Sequence, residues 1–149
     1  MEYQIRPVRQ DDLDELLVLM QGHADYERAG FSPSGKKEKL GVALFGGPPR
    51  LYCRVVETKN GLAGYVSYTF DYSTWDAAEF MYMDCLFLRE EVRGLGIGPE
   101  ILKLLRVEAG KHNCINIQWQ TPAFNEPAIR FYHRNLATSK EKVRFVLAL

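Results

Sequence analysis

This sequence predicts a mixed α/β domain: a central, mostly antiparallel sheet of about six to seven strands, with about four helices packed on it. Three observations predict it. Two β-rich runs within 51–70 flank Asn60-Gly61, the pair favoured in a two-residue type I′ turn. The apolar run "FMYMDCLFL" at 80–88 leads through "RGLGIG" at 93–98 into residues with helical spacing. In the segment that opens at 11–20, Leu13, Leu16, Leu17, Met20 and Ala24 fall on one helical face.

The elements follow in order. "QIRPV" at 4–8 is a first strand. Asp11 or Asp12 caps the helix after it, and Asp14 and Glu15 favour its positive N-terminal end. "SPSGKKEKLGVALFGG" at 32–47 starts on Ser-Pro and stops on paired glycines, the signals of a second helix. The hairpin and the strand at 80–88 make a three-strand meander. The glycine run opens a helix to about Glu108, with Leu102, Leu105 and Ala109 at helical spacing. "CINIQWQ" at 114–120 alternates as a strand. "NEPAIRFYHRNLA" is a short helix that Asn125 can cap, with Pro127 in its first turn. "KVRFVLAL" at 142–149 closes with a strand.

Composition narrows the function. A chain of 149 residues is expected to form one domain, 1–149, and 46% hydrophobic with 26% charged residues is ordinary for a globular protein. Nineteen basic and 19 acidic side chains cancel, which argues against binding nucleic acid by bulk phosphate neutralisation. No apolar stretch is long enough to span a bilayer, and "MEYQIRPVRQ" lacks the plan of a secretory signal. Cys53, Cys85 and Cys114 are an odd, widely spaced set, read as reduced thiols in a cytoplasm and not as a zinc site. His23, His112 and His133 are equally scattered and are read as surface histidines.

The glycine loop is the strongest functional signal. A plain strand-to-helix turn usually needs one glycine, whereas three at alternate positions let a ligand approach successive N–H groups at a helix start. A mononucleotide loop would need Gly-Lys-Ser/Thr, which is absent. A dinucleotide fingerprint from Gly94 would want glycine at 99, where proline stands.

Arg93-x-x-Gly96-x-Gly98 behind an apolar strand resembles the acyl-CoA-binding signature of the GNAT N-acetyltransferase superfamily, (Gln/Arg)-x-x-Gly-x-(Gly/Ala). "NEPAIRFYHR" is similar to that family's Asn-x-x-Ala-x-x-(Phe/Leu)-Tyr segment. "IRPV" at the start, "ADYE" at 24–27, "YTFDYSTW" at 68–75 and "FYHRNLA" resemble its diamine (spermidine/spermine) branch.

The resemblance implies a GNAT-type domain that moves acetyl from acetyl-CoA to a primary amine, such as a polyamine, by direct attack in a ternary complex. The loop Arg93, Gly94, Leu95, Gly96, Ile97 and Gly98 would hold the CoA pyrophosphate. The backbone of Leu86, Phe87 and Leu88 would pair with the pantetheine arm, and Asn125 would contact the cofactor or simply cap its helix. Tyr132 would protonate the departing thiolate, and Asp84 would act as base or proton relay. Tyr26 and Glu27, with Asp84, would line the amine site. Asp71, Asp76 and Glu79 beside Tyr68, Tyr72 and Trp75 would suit a cationic, partly apolar chain. No metal is called for, and a cytoplasmic homodimer is implied. Two alternatives stay open: a protein amine or aminoglycoside acceptor, and a domain that binds acyl-CoA without catalysis.

Two departures from the family pattern stand out. Pro99 removes one amide donor next to the loop, so Pro99→Ser is expected to leave CoA affinity equal or tighter in a binding titration. Asn135-Leu136-Ala137 replaces the usual Gly-Ala or Gly-Phe after the last helix; Asn135 can take the left-handed cap there.

Overall fold

The meander is the frame of the molecule. In the computed structural model, which describes residues 1–149, β2 (Tyr52–Thr58), β3 (Gly61–Ser73) and β4 (Ala78–Leu88) pair antiparallel in sequence order. β1 (Tyr3–Pro7) joins β2, and β5 (Ile117–Gln118) joins β4, the one parallel pair, giving the order β1-β2-β3-β4-β5.

Four helices cover both faces of this sheet: α1 (Leu13–Tyr26), α2 (Lys36–Phe45), α3 (Ile97–Lys111) and α4 (Glu126–Arg134). On one face Ile97, Ile101, Leu105 and Ala109 of α3 pack on Val66, Tyr68, Met81 and Met83. On the other, Leu13, Leu16 and Leu19 of α1, with Leu44 of α2, pack on Val55, Tyr65 and Phe87.

The register of β4 carries a consequence for the site. Ser67 pairs with Cys85 and Tyr68 with Met83, so Asp84 is an extra residue, a β-bulge. A bulge shifts the alternation of side chains by one position. Met81 and Met83 therefore point to α3, while after the bulge Cys85 and Phe87 point to α1 and Leu86 and Leu88 return to the α3 side.

Several sequence expectations need correction. The sheet has five strands, not six or seven. The 142–149 run forms no element, and Val143, Phe145, Val146 and Leu147 are exposed. A strand needs a partner edge, and the two-residue β5 presents almost none. The turn between β2 and β3 is not type I′. Thr58 pairs with Gly61, and of Lys59, Asn60 and Gly61 only the glycine has positive φ. Neither Asp11 nor Asp12 caps α1 by its side chain; the Asp12 carboxylate is turned to Arg6 and to the N–H of Arg9. The buried stripe of α1 runs through Leu13, Leu16 and Leu19 with Met20 packed at its margin. Leu13, Leu16 and Met20 are as expected, whereas Leu19 replaces Leu17 and Ala24, which are only half-buried.

Candidate active site

β4 and β5 part company after two residue pairs, Met81–Ile117 and Tyr82–Gln118. Beyond them lies a cleft of about 460 Å³ between the open edge of β4, the glycine loop, the end of α1 and the inner side of α4. Arg89 N–H donates to Ala63 on β3. Antiparallel alternation then turns the N–H and C=O of Leu86 and Leu88 away from β3, toward the cleft. The Leu88 carbonyl is there accepting from Arg93 Nε at 2.8 Å.

The glycines of the loop have separate tasks. Gly94 and Gly96 take φ of +73° and +83°, the left-handed region that disfavours side chains. Gly98 is a contact: a Cβ there would lie 2.7 Å from the ring of Phe131, so its absence lets α4 press against the start of α3. The N–H groups of Gly94, Leu95, Gly96, Ile97 and Gly98 donate to nothing within the chain. Such a run at a helix N-terminus is an anion cradle. Arg93 differs from the expectation, since its N–H donates to the Glu90 carbonyl. It contributes its guanidinium, which lies 4.8 Å above the Tyr26 ring. Leu95 and Ile97 do not line the cleft: the first side chain is exposed and the second is in the core.

Tyr132 lines the cleft and packs edge-on to Trp119 at 5.1 Å. Its hydroxyl has no partner in the chain, whereas burial and then the nearby Glu27 charge push its pKa up to about 12. The phenol therefore keeps its proton at neutral pH and is a donor. Asp84, expected in apolar surroundings, is instead exposed on its bulge at the cleft wall. Asn125 is chiefly structural: its Oδ1 accepts from Ala128 N–H at 3.4 Å and from the Tyr26 hydroxyl at 3.2 Å, bridging α4 to α1.

Two further expectations part here. Tyr26, Glu27, Asp84, Leu86, Phe87, Leu88, Arg93, Gly94, Gly96, Gly98, Asn125 and Tyr132 share this cleft. Asp71, Asp76 and Glu79 do not; they are exposed on the distal hairpin with Tyr72 and Trp75, while Tyr68 is buried under α3. Trp119 and His23, not anticipated, also line it. His23 stands four residues before Glu27 and seven after Leu16, spacings that place an imidazole at the end of a buried stripe.

The residues after α4 are strained. Asn135 stays at φ −94°, and Leu136 takes the left-handed conformation at +72° with its side chain exposed. Leu136→Gly is expected to raise stability by about 1 kcal/mol in thermal or urea unfolding, because glycine removes the Cβ penalty. No change, or a loss, would contradict that account of the cap.

A splayed parallel pair, free amides at a glycine-rich helix start and a protonated tyrosine thus face one another across a single cleft. The acetyltransferase (GNAT) family description matches residues 16–137. The chain belongs to this family. It is an N-acetyltransferase by class, and family members take acetyl-CoA as cosubstrate. Among its relatives, bovine (Bos taurus) thialysine N-epsilon-acetyltransferase is 28% identical over 136 residues, covering 86% of this chain and 79% of that protein. Human (Homo sapiens) spermidine/spermine N(1)-acetyltransferase-like protein 1 is 26% identical over 137 residues, 87% of this chain and 20% of that one. In fold, a possible acetyltransferase from Clostridium difficile 630 superposes with a TM-score of 0.82 at 16% identity, covering 100% of this chain and 99% of that one. No helix of the chain, the longest being α3, is long and apolar enough to cross a membrane.

Proposed function

We propose that this GNAT enzyme transfers acetyl from acetyl-CoA to the primary amine of a small aliphatic substrate, a polyamine or a lysine analogue, in a ternary complex. The observation that carries the reading is the meeting, in one cleft, of the open Leu86–Leu88 edge, the free N–H groups of Gly94, Gly96 and Gly98, the phenol of Tyr132, and the carboxylates of Glu27 and Asp84. The donor set suits the cosubstrate. Loop amides suit a pyrophosphate, and an unpaired strand edge suits an amide-bearing arm laid along it. The Leu86 N–H, turned into the cleft, would polarise the thioester carbonyl. Tyr132 would donate to the departing sulfur. Asp84 would accept or relay the proton that a substrate ammonium must lose before it attacks. The names of the bovine and human relatives support a small cationic amine as acceptor.

The test is CoA release from acetyl-CoA with the purified protein across diamines, polyamines, lysine and thialysine. Turnover with one of these is expected. Transfer only to a protein or an aminoglycoside would move the acceptor class, and CoA binding without transfer to any amine would leave a non-catalytic domain. A homodimer belongs to the same reading. The exposed apolar row Val143, Phe145 and Leu147 supports it, and light scattering reads the mass directly.

A further inference from the structure

His23 is held on three sides. Its ring stacks on Phe87 with centroids 5.3 Å apart and planes 18° apart. Nδ1 lies 2.8 Å from the Tyr65 hydroxyl, and Nε2 lies 2.5 Å from Glu27 Oε2. Of the two neutral tautomers, only one gives both contacts a donor and an acceptor. A protonated Nδ1 would leave the bare Nε2 lone pair facing a carboxylate. With the Tyr65 hydroxyl donating to Nδ1, Nε2 carries the ring proton and donates to Glu27. Tyr65 is 4% exposed, and burial raises its phenol well above the ordinary range, so that hydroxyl keeps its proton. Glu27 Oε2 is thus engaged, while Oε1 has no partner in the chain.

We propose that His23, its tautomer set by Tyr65, is a positioning residue that holds the Glu27 carboxylate in the cleft as the anchor and first proton acceptor for the substrate ammonium. The proposal rests on the amine-acetylation reading and deepens it, because it divides the work of the two acidic candidates. Glu27 is the carboxylate whose charge acts on Tyr132. The attacking nitrogen must sit near the carbon–sulfur bond that Tyr132 serves. In balance, the ammonium gives one proton to Glu27 Oε1, and its lone pair forms the C–N bond. The C–S bond breaks, and sulfur leaves with the bonding pair and takes the Tyr132 proton. The nitrogen's second proton restores the phenol, and Glu27 returns its proton to solvent. Ammonium and thioester become amide, thiol and one released proton.

The experiment uses the full chain. His23→Leu keeps bulk against Phe87 and removes both ring nitrogens; His23→Gln keeps a donor and an acceptor. His23→Leu is expected to lower kcat/KM for the amine about 10- to 100-fold, as loss of a hydrogen bond to a charged group does, with KM for acetyl-CoA within about twofold. His23→Gln recovers most of this loss. In a Glu27→Gln background, adding His23→Leu costs less than about twofold more, since a positioning residue has nothing left to position. Additive losses, no loss, or an equal rise in KM for acetyl-CoA overturn the proposal. Nitrogen-15 spectra of the unliganded wild type report the tautomer without turnover: a ring protonated on Nε2 alone supports the proposal, and a proton on Nδ1, with or without one on Nε2, overturns it. A wild type inert toward every amine overturns the proposed function together with this role. An active wild type with additive variants overturns this role alone.

Discussion

Tyr132→Phe is expected to lower kcat about 100-fold, the lower end of what general acid–base groups contribute, with KM for acetyl-CoA within about twofold. The substitution removes one oxygen and little else. That hydroxyl has no hydrogen-bond partner in the chain, and the ring packs edge-on to Trp119 by its apolar body, which phenylalanine keeps. Thermal stability should therefore stay close to that of the wild type. The raised phenol pKa, about 12, adds a pH signature. Tyr132 remains protonated through the range where amines lose their protons, so it should set no alkaline limb of the rate below about pH 11. Steady-state kinetics at saturating substrates from pH 6 to about 10 measure both. An unchanged kcat in the variant would remove Tyr132 from the role of acid.

The glycine loop and the α4 segment were legible because their chemistry needs residue types that little else explains. Free amides need glycines at positive φ, and the tyrosine of the α4 segment does reach the cleft. The expected split between a core phenylalanine and a cleft tyrosine did not follow: Phe131 is half-buried and lines the cleft beside Tyr132 while packing on Gly98. His23 was not legible as a site residue. Its distance in sequence from the other histidines says only that it is no metal ligand; its place in the cleft follows from the stripe Leu13, Leu16 and Leu19, which carries the ring against Phe87. The acidic hairpin misled in the other direction. Asp71, Asp76 and Glu79 are close to Asp84 in sequence, but β3 and β4 run on past the cleft and carry them away from it. The bulge at Asp84 has no sequence signature of its own. It appears only in the pairing of Ser67 with Cys85 and Tyr68 with Met83, and it decides that Leu86, not Cys85, faces the α3 side. The last strand failed for a global reason: its alternation is real, but a strand's partner lies elsewhere in the chain or outside it.

Arg6→Ala is expected to cost about 3 to 5 kcal/mol of stability at pH 7, the range for removing one partner of a buried ion pair. Arg6 is 5% exposed and grips Asp12 with two hydrogen bonds of 2.7 and 2.9 Å and Glu57 with two of 2.7 and 3.1 Å. It ties β1 to β2 and both to the turn that launches α1, whose far end carries His23, Tyr26 and Glu27. The sign of the pH dependence follows from the carboxylates. Hydrogen bonding to Arg6 holds Asp12 and Glu57 below the usual range. Their contribution is then fully present above the unfolded carboxylate pKa, about 4, and is lost as pH falls through the folded values. Without Arg6, the Asp12 carboxylate is buried with no countercharge, which favours its protonated form, so the variant gains relative to the wild type on acidification. The stability gap between the two should be widest near neutrality and narrow as pH falls below about 5, in urea unfolding followed by circular dichroism. A gap that is constant with pH would show that Arg6 acts through packing of its stem rather than through its charge. A loss below about 1 kcal/mol would place this network among surface ion pairs, and the launch of α1 would then rest on its apolar face alone.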